Sequence, residues 1–194
     1  MKLPPLATTS IGSFPRPKWL AKTNVNRASF IVPPEHMQEA CDDATIVVLR
    51  HQEELDLDIV TDGEQRREGF IFHIAGQWDG VDTKLTGVKE IYRNRPAKRI
   101  VPRVVGKIIR RGPAAVADTR FAKAHTNRPL KMQVPGPMTV VDSALNEFYG
   151  DEAEMAFDAA VAINQELLEM QAAGCDVIQI DEPAMTRYYD KLRD

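Results

Sequence analysis

Two short acidic stretches stand where packing has no use for charge. Asp181-Glu182-Pro183 follows Asp176-Val-Ile-Gln-Ile180, whose Val177, Ile178 and Ile180 supply the β-branched content of a strand buried on both faces. Asp62-Gly63-Glu64 follows Leu55-Asp-Leu-Asp-Ile-Val-Thr61, read as a strand from about Asp58 to Thr61. Carboxylates at the carboxyl ends of parallel strands occupy the place where α/β folds bind ligands. Gly63 lets the backbone turn sharply, so Glu64 is expected to point into a central site, with Arg66 or Arg67 balancing its charge. A third stretch, Gly12-Ser13, ends an expected strand over residues 8–14. Its backbone N–H groups and hydroxyl suit a carboxylate or a phosphate. Taken singly, Asp-Gly-Glu and Gly-Ser are also ordinary turns, and two strand-end carboxylates would also serve glycosidase-type acid–base chemistry.

The elements that must position these residues are legible as alternating patterns. Pro33-Pro34 opens a helix on which Met37, Ala40, Cys41, Ala44, Val47, Val48 and Leu55 recur at helical spacing. From Phe70 to Gly112 the periodicity breaks down under Gly80, Gly87, Pro96, Pro102 and Gly106. That predicts an excursion of loops and short strands, hairpin-like over Val104–Ile109, walling or covering a site. Pro113 starts a short helix to about His125, and Leu130-Lys-Met-Gln-Val134 gives a strand ending in Pro135-Gly136-Pro137, a rigid turn that shapes the rim. Asp151 and Glu154 form a capping-box variant for a helix with Met155, Ala159, Ala162, Ile163, Leu167 and Met170 on one face, stopped by Gly174. Strands near 8–14, 58–64, 130–135 and 176–182 thus alternate with helical segments, which predicts a parallel sheet of right-handed βα units in one domain spanning residues 1–194.

Composition narrows the setting. With 43% apolar and 27% charged residues the chain is an ordinary globular protein, and no apolar run reaches the length of a membrane span. The start, Met1-Lys-Leu-Pro-Pro5, lacks a secretory core, so a cytoplasmic setting without membrane association is expected. Cys41 and Cys175 make no C-x-x-C pair and are read as reduced. The net charge of −3 hides an asymmetry: Lys84 to Lys131 holds 14 Lys and Arg against Glu90 and Asp118, a balance of +12, and the rest carries −15. The basic segment is read either as a site for an anionic ligand or partner, or as a solvated face compensating acidic helices. Nucleic acid is not expected, because aromatic residues are sparse there and no binding motif is present.

Four motifs in order, Thr8-Thr-Ser-Ile-Gly-Ser-Phe-Pro-Arg16, Asp62-Gly-Glu-Gln-Arg-Arg67, Gly136-Pro-Met-Thr139 and Gln179-Ile-Asp-Glu-Pro-Ala184, resemble the catalytic domain of the cobalamin-independent methionine synthase family. The resemblance covers nearly the whole chain. It implies an α/β fold of (β/α)8 TIM-barrel type with about the first four βα units present. It also implies a homocysteine, or thiol, S-methyltransferase module of methionine biosynthesis, acting by zinc-thiolate methyl transfer. Carried over by motif, Ile11, Gly12 and Ser13 would hold the substrate carboxylate, and Glu64 and Asp181 its ammonium group. An amino acid needs donors at one end and carboxylates at the other, so these residues would position substrate, with none assigned a catalytic role.

Departures from the family pattern shape the remaining expectations. The family's zinc ligands, a His-x-Cys pair followed by a Glu and a second Cys, have no counterpart in His36, Cys41, His51, His73, His125 or Cys175, so no metal ligand is assigned. Where folate-using members carry a tryptophan after the Gly-Pro-x-Thr turn, this chain has Val140-Val-Asp-Ser143, which leaves folate and another methyl carrier both open as donor. The chain is therefore expected to be truncated or one half of a split enzyme, with a second polypeptide or a homodimer completing the barrel. Two alternatives stay open: a non-catalytic fragment that binds an amino acid or partner subunit, and another thiol alkyltransferase of the same superfamily.

Overall fold

Pro33 and Pro34 lead through a 3-10 turn at Pro34–His36 into a long helix, Met37–Glu54, whose Cys41, Ala44, Thr45, Val48, Leu49 and Gln52 are buried at three- and four-residue steps. In a computed structural model describing residues 3–22, 28–92 and 96–187, this helix is α1. It follows two short strands, β1 (Ala21–Lys22) and β2 (Ser29–Phe30), and precedes β3 (Val60–Thr61) and α2 (Phe70–Ala75). Next come β4 (Trp78–Tyr92), β5 (Pro96–Arg110), α3 (Val116–Ala124), β6 (Leu130–Pro135) and α4 (Pro137–Asp142). The chain continues with β7 (Leu145–Asn146), α5 (Glu152–Ala172), β8 (Val177–Asp181) and a final 3-10 turn, Met185–Arg187. It divides into two units: Met1–Glu68 with Ala115–Gln133 and Glu169–Gln179, and Gly69–Ala114 with Val134–Leu168 and Ile180–Asp194.

The first unit contains α1, β3, α3 and the start of β6, with β3 and β6 parallel through Val60↔Leu130 and Thr61↔Lys131. The Asp176 N–H donates to the Leu130 carbonyl (2.9 Å), so β8 enters alongside β6. The end of α5 is closed by two bonds, Gly174 N–H to Gln171 carbonyl (3.0 Å) and Cys175 N–H to Met170 carbonyl (3.1 Å). These are the paired bonds of a Schellman stop, at the glycine expected to end the helix. Arg128 binds Asp56 (2.7 Å), and Lys123 binds Asp176 (2.7 Å), whose carboxylate also accepts the Leu130 N–H (2.8 Å).

In the second unit the 70–112 excursion is far more regular than its glycines suggest. β4 and β5 are fifteen residues each and pair antiparallel from Trp78↔Arg110 to Tyr92↔Pro96. Val101, Val104 and Ile108 are buried while Ile100, Val105 and Ile109 are exposed, a half-buried ribbon. The register slips between Asp79 and Val81 and between Asp82 and Gly87, so Gly80 and Gly87 sit at irregularities inside a strand, where the sequence reading had placed breaks between strands. Three arginines of this stretch are met by acids within the same unit. Arg103 makes three hydrogen bonds to Glu147 (2.7 to 3.1 Å), Arg110 pairs with buried Glu166 (2.9 Å), and Arg111 meets Asp79 (3.3 Å). Residues 93–95 of the basic segment lie outside the described residues.

The strand pairing corrects the expected (β/α)8 barrel type. Among the described residues the strands form three open sheets, ordered β1-β2, β3-β6-β8 and β4-β5-β7. β3 is two residues long, and residues 8–14 contribute a single bridge, Thr9 to Ile59, in place of a full strand. The longest strands, β4 and β5, pair with each other, and β5 also pairs with β7. A sheet of three strands cannot curve far enough to meet itself, since small barrels close at about eight. The architecture is α/β with open sheets.

Candidate functional site

In the first unit, Gln52 on α1 takes the place of a neighbouring strand at the end of β3. Its amide accepts the Thr61 N–H (3.0 Å) and donates to the Thr61 carbonyl (2.8 Å). The Thr61 hydroxyl then ties two segments together, donating to the Gly12 carbonyl (3.1 Å) and accepting from the Gly63 N–H (3.1 Å). A backbone bond from Phe14 N–H to the Gly63 carbonyl (3.0 Å) and the Gln65 amide on the Phe14 and Gly63 carbonyls (3.2 and 2.9 Å) complete the junction. The segment holding Ile11, Gly12 and Ser13 is thereby fixed beside the loop holding Glu64.

That loop is tightly wound. Gly63 and Glu64 both have left-handed backbone, φ +64° and +56°. For a glutamate this conformation costs about 1 kcal/mol or more, and such outliers concentrate at functional sites. The turn is held by Asp62 Oδ1, which accepts the Glu64 N–H (3.1 Å), and by Arg16, whose Nη2 donates to the Glu64 and Arg67 carbonyls (2.8 and 2.5 Å). Burial lowers the pKa of the Arg16 guanidinium and the nearby Glu64 charge offsets part of that effect.

Charge inside the loop is balanced by Arg67, which is fully buried. Its Nη1 donates to the Gln133 carbonyl (2.7 Å) and lies 3.8 Å from Glu64 Oε1, and its Nη2 lies 4.0 Å from Asp62 Oδ2. Glu64 itself is only 9% exposed. Of the two arginines the sequence offered as counter-charge, Arg67 takes that position. Arg66 turns instead to Asp42 and Asp118, with its guanidinium 4.2 Å from the centre of the Phe121 ring.

The Ile11–Ser13 segment is held from a further side. Lys131 Nζ donates to the Ser10 carbonyl (2.5 Å) and Gln179 Nε2 to the Ile11 carbonyl (2.9 Å). The Ile11 side chain is 83% exposed and Ser13 is exposed, while Gly12 is buried. The φ of Gly12 is not positive, so the position does not require glycine for its backbone conformation. What excludes a side chain there is Gln133: a Cβ on Gly12 would lie 2.8 Å from Gln133 Cδ and 3.2 Å from its Nε2.

In the second unit, Asp181 ends β8 and its carbonyl accepts the Gly136 N–H (2.9 Å). Glu182 has a structural task. Its carboxylate accepts the Met138 N–H (2.9 Å), the Thr139 N–H (2.8 Å) and the Thr139 hydroxyl (2.6 Å), capping the first turn of α4. A Cβ on Gly136 would come within 2.1 Å of Glu182 Oε1, so the Gly-Pro-Met-Thr and Asp-Glu-Pro stretches fit each other through this carboxylate. Ile11, Gly12, Ser13 and Glu64 therefore share one unit, and Asp181 belongs to the other.

Sequence reading assigned no role to Arg16, Gln52, Gln133 or Gln179. The available signal was a polar side chain where a buried stripe or strand calls for an apolar one, as at Gln52 on α1 and Gln133 in β6.

The residues present do not fit the zinc that the resemblance implies. Among the described residues no group of three or more His, Cys, Asp and Glu side chains is placed to hold a metal ion. Cys41 and Cys175 are buried, and burial pushes both thiols up. Among the described residues no helix is long and apolar enough to cross a membrane.

Comparison with known proteins adds a family to this geometry. Residues 6–191 match the family model described as the cobalamin-independent synthase, catalytic domain. A methionine synthase of Sulfolobus acidocaldarius is 37% identical over 181 residues, covering 93% of this chain and 52% of that protein. One from Saccharolobus islandicus is 39% identical over 186 residues, 95% of this chain and 54% of its own length. A B12-independent methionine synthase from Shewanella sp. W3-18-1, solved in complex with selenomethionine, superposes with a TM-score of 0.89 at 35% identity over 97% of this chain and 55% of that one. A Listeria monocytogenes structure at 19% identity and TM-score 0.72 shares the fold. The chain thus spans about half the length of the curated relatives it matches. With a family model matched over almost its whole length, this chain belongs to the cobalamin-independent methionine synthase catalytic-domain family and corresponds to its N-terminal portion.

Proposed function

We propose that the chain is the amino-acid-holding module of a homocysteine, or thiol, S-methyltransferase. The observation that carries the reading is the junction between the Ile11–Ser13 segment and the Glu64 loop. There a buried carboxylate in left-handed backbone is fixed by Thr61, Asp62, Arg16 and Arg67 beside a segment that offers donors. An amino acid carries one charge of each sign on adjacent atoms, so a site that reads both must hold a carboxylate and a set of donors at fixed separation. Ile11, Gly12 and Ser13 hold the substrate carboxylate, and Glu64 takes the ammonium group. Arg67 sets a positive charge 3.8 Å from the Glu64 carboxylate while its bond to the Gln133 carbonyl holds the loop. Asp181 is assigned to the ammonium group by its motif alone. The role of these residues is orientation: a fixed amino-acid headgroup aims the thiol, and fixing the geometry of a reacting group lowers the barrier to its transfer.

The transfer step is not assigned to residues of this chain, whose His and Cys do not fit the family's zinc. What the transfer needs comes from outside these residues, and either folate or another carrier would supply the methyl group. The experiment is calorimetric titration of the full chain with L-homocysteine, alongside Glu64→Gln and Asp181→Asn. Loss of a charge-assisted bond of about 1.5–3 kcal/mol weakens binding roughly tenfold or more in each variant. Unchanged affinity in both variants would sink the reading.

A further inference from the structure

β6 places one polar side chain in the first unit that the fold leaves unused. Gln133 is completely buried in a strand otherwise suited to packing, and among the described residues neither its Oε1 nor its Nε2 has a hydrogen-bond partner. A buried amide left in that state costs about 1–3 kcal/mol, so a strand that needed only packing would carry Met or Leu at this position. The backbone around it is satisfied, since the Gln133 carbonyl accepts from Arg67 Nη1 at 2.7 Å. Only the side chain waits for a partner.

Its direction is set by the neighbouring segment. The Gln133 amide lies over Gly12, with Cδ at 2.8 Å and Nε2 at 3.2 Å from where a Cβ on Gly12 would stand. The absence of a side chain at Gly12 is what lets the amide approach the Ile11–Ser13 backbone. Three further contacts hold that backbone in place: Thr61 on the Gly12 carbonyl, Lys131 on the Ser10 carbonyl and Gln179 on the Ile11 carbonyl. All three donors use carbonyl oxygens, which leaves the Gln133 amide free to serve a ligand.

We infer that Gln133 is a ligand-binding residue: its Nε2 donates to the carboxylate of an α-amino acid lying on the Ile11–Ser13 segment. This rests on the amino-acid-holding reading above and adds to it a donor from β6. An amide suits the task because it is neutral and donates without bringing a third cation beside Lys131 and Arg67. The energetic consequence is specific. A residue whose amide is satisfied only by ligand adds to binding and nothing to the stability of the free protein.

The test uses Gln133→Met, which keeps length and removes both polar atoms, and Gln133→Glu, which keeps shape and replaces the donor with a carboxylate. The full chain and both variants are titrated calorimetrically with L-homocysteine, and their urea midpoints are measured without ligand. The expected result is a roughly tenfold loss of affinity in Gln133→Met and a larger loss in Gln133→Glu, with the ligand-free midpoint of Gln133→Met unchanged or higher. Homocysteine affinity equal to the unaltered chain in either variant overturns the assignment. So does a fall in the ligand-free midpoint of Gln133→Met as large as its loss of affinity, which would show that the amide serves the fold through bound water. Failure of the unaltered chain to bind homocysteine overturns the amino-acid reading, and Gln133 with it. Binding by the unaltered chain with no effect at Gln133 overturns this inference alone.

Discussion

Replacing Glu182 by alanine removes the acceptor of three hydrogen bonds, from the Met138 N–H (2.9 Å), the Thr139 N–H (2.8 Å) and the Thr139 hydroxyl (2.6 Å). Two of these donors belong to the first turn of α4, where no helical carbonyl is available to take them. Glu182 is half-buried, so water would recover part of the loss, and each bond is taken at about 1 kcal/mol, the middle of the range for such bonds. The expected destabilisation is about 3 kcal/mol. With a urea m-value of about 2 kcal/mol per molar, the unfolding midpoint should fall by about 1.5 M while m stays the same. Glu182→Gln keeps one acceptor oxygen but sets an amide N–H against a backbone N–H, so it should lose roughly half as much. Equilibrium urea unfolding followed by far-UV circular dichroism reads both. A midpoint shift below about 0.3 M for Glu182→Ala, with m unchanged, would refute the idea that this carboxylate holds the α4 turn.

Further perturbations follow from the same geometry. Gly136→Ala puts a Cβ within 2.1 Å of Glu182 Oε1, so it should also destabilise, by about 1–3 kcal/mol, and its cost should shrink in the Glu182→Ala background because the collision is gone. Additive losses in that double variant would contradict the contact. Arg67→Met leaves Asp62 and Glu64 without their buried counter-charge and should cost about 3–5 kcal/mol by the same unfolding assay, whereas a neutral result would show the charges to be otherwise paid for. Burial, together with the hydrogen bond from its hydroxyl to Asp158 (2.7 Å), pushes Tyr149 up to about 12, while the Ile108 N–H opposes this. Since the neutral phenol is the form favoured by folding, its contribution is complete below the ordinary tyrosine pKa of about 10 and is lost as pH rises through the folded value. Absorbance titration of the phenolate should show one late-titrating tyrosine that disappears in Tyr149→Phe.

Much of the local structure was legible because it follows from short-range rules. Cys41, Ala44 and Val48 on the α1 stripe, the Asp151 cap that accepts the Ala153 N–H (2.9 Å), and the Gly174 stop all depend on residues within one or two helical turns, while Val47 and Leu55, expected on the same stripe, are exposed. The β4–β5 ribbon was harder to see, because Gly80 and Gly87 interrupt the alternation yet fall at register slips inside a continuous strand. The barrel expectation failed on a non-local quantity, the number and length of strands that pair, which no window of sequence contains. At the candidate site the acids were visible from their incongruous placement. Their supports were not, because Arg16 and Gln133 lie tens of residues away in sequence and Gln52 lies on a different element, and they act through backbone carbonyls and a close approach to Gly12.

The central claim is that the first unit reads the charged headgroup of an amino acid, with Glu64 on the ammonium group. The most direct measurement is a calorimetric comparison of L-homocysteine with 4-mercaptobutanoate, which keeps the thiol and carboxylate but lacks the amino group, on the unaltered chain and on Glu64→Gln. The account expects the unaltered chain to bind homocysteine roughly tenfold or more tighter than the analogue, and the preference to shrink in Glu64→Gln. Equal affinity for the two ligands in the unaltered chain, or a preference that survives intact in Glu64→Gln, would contradict it.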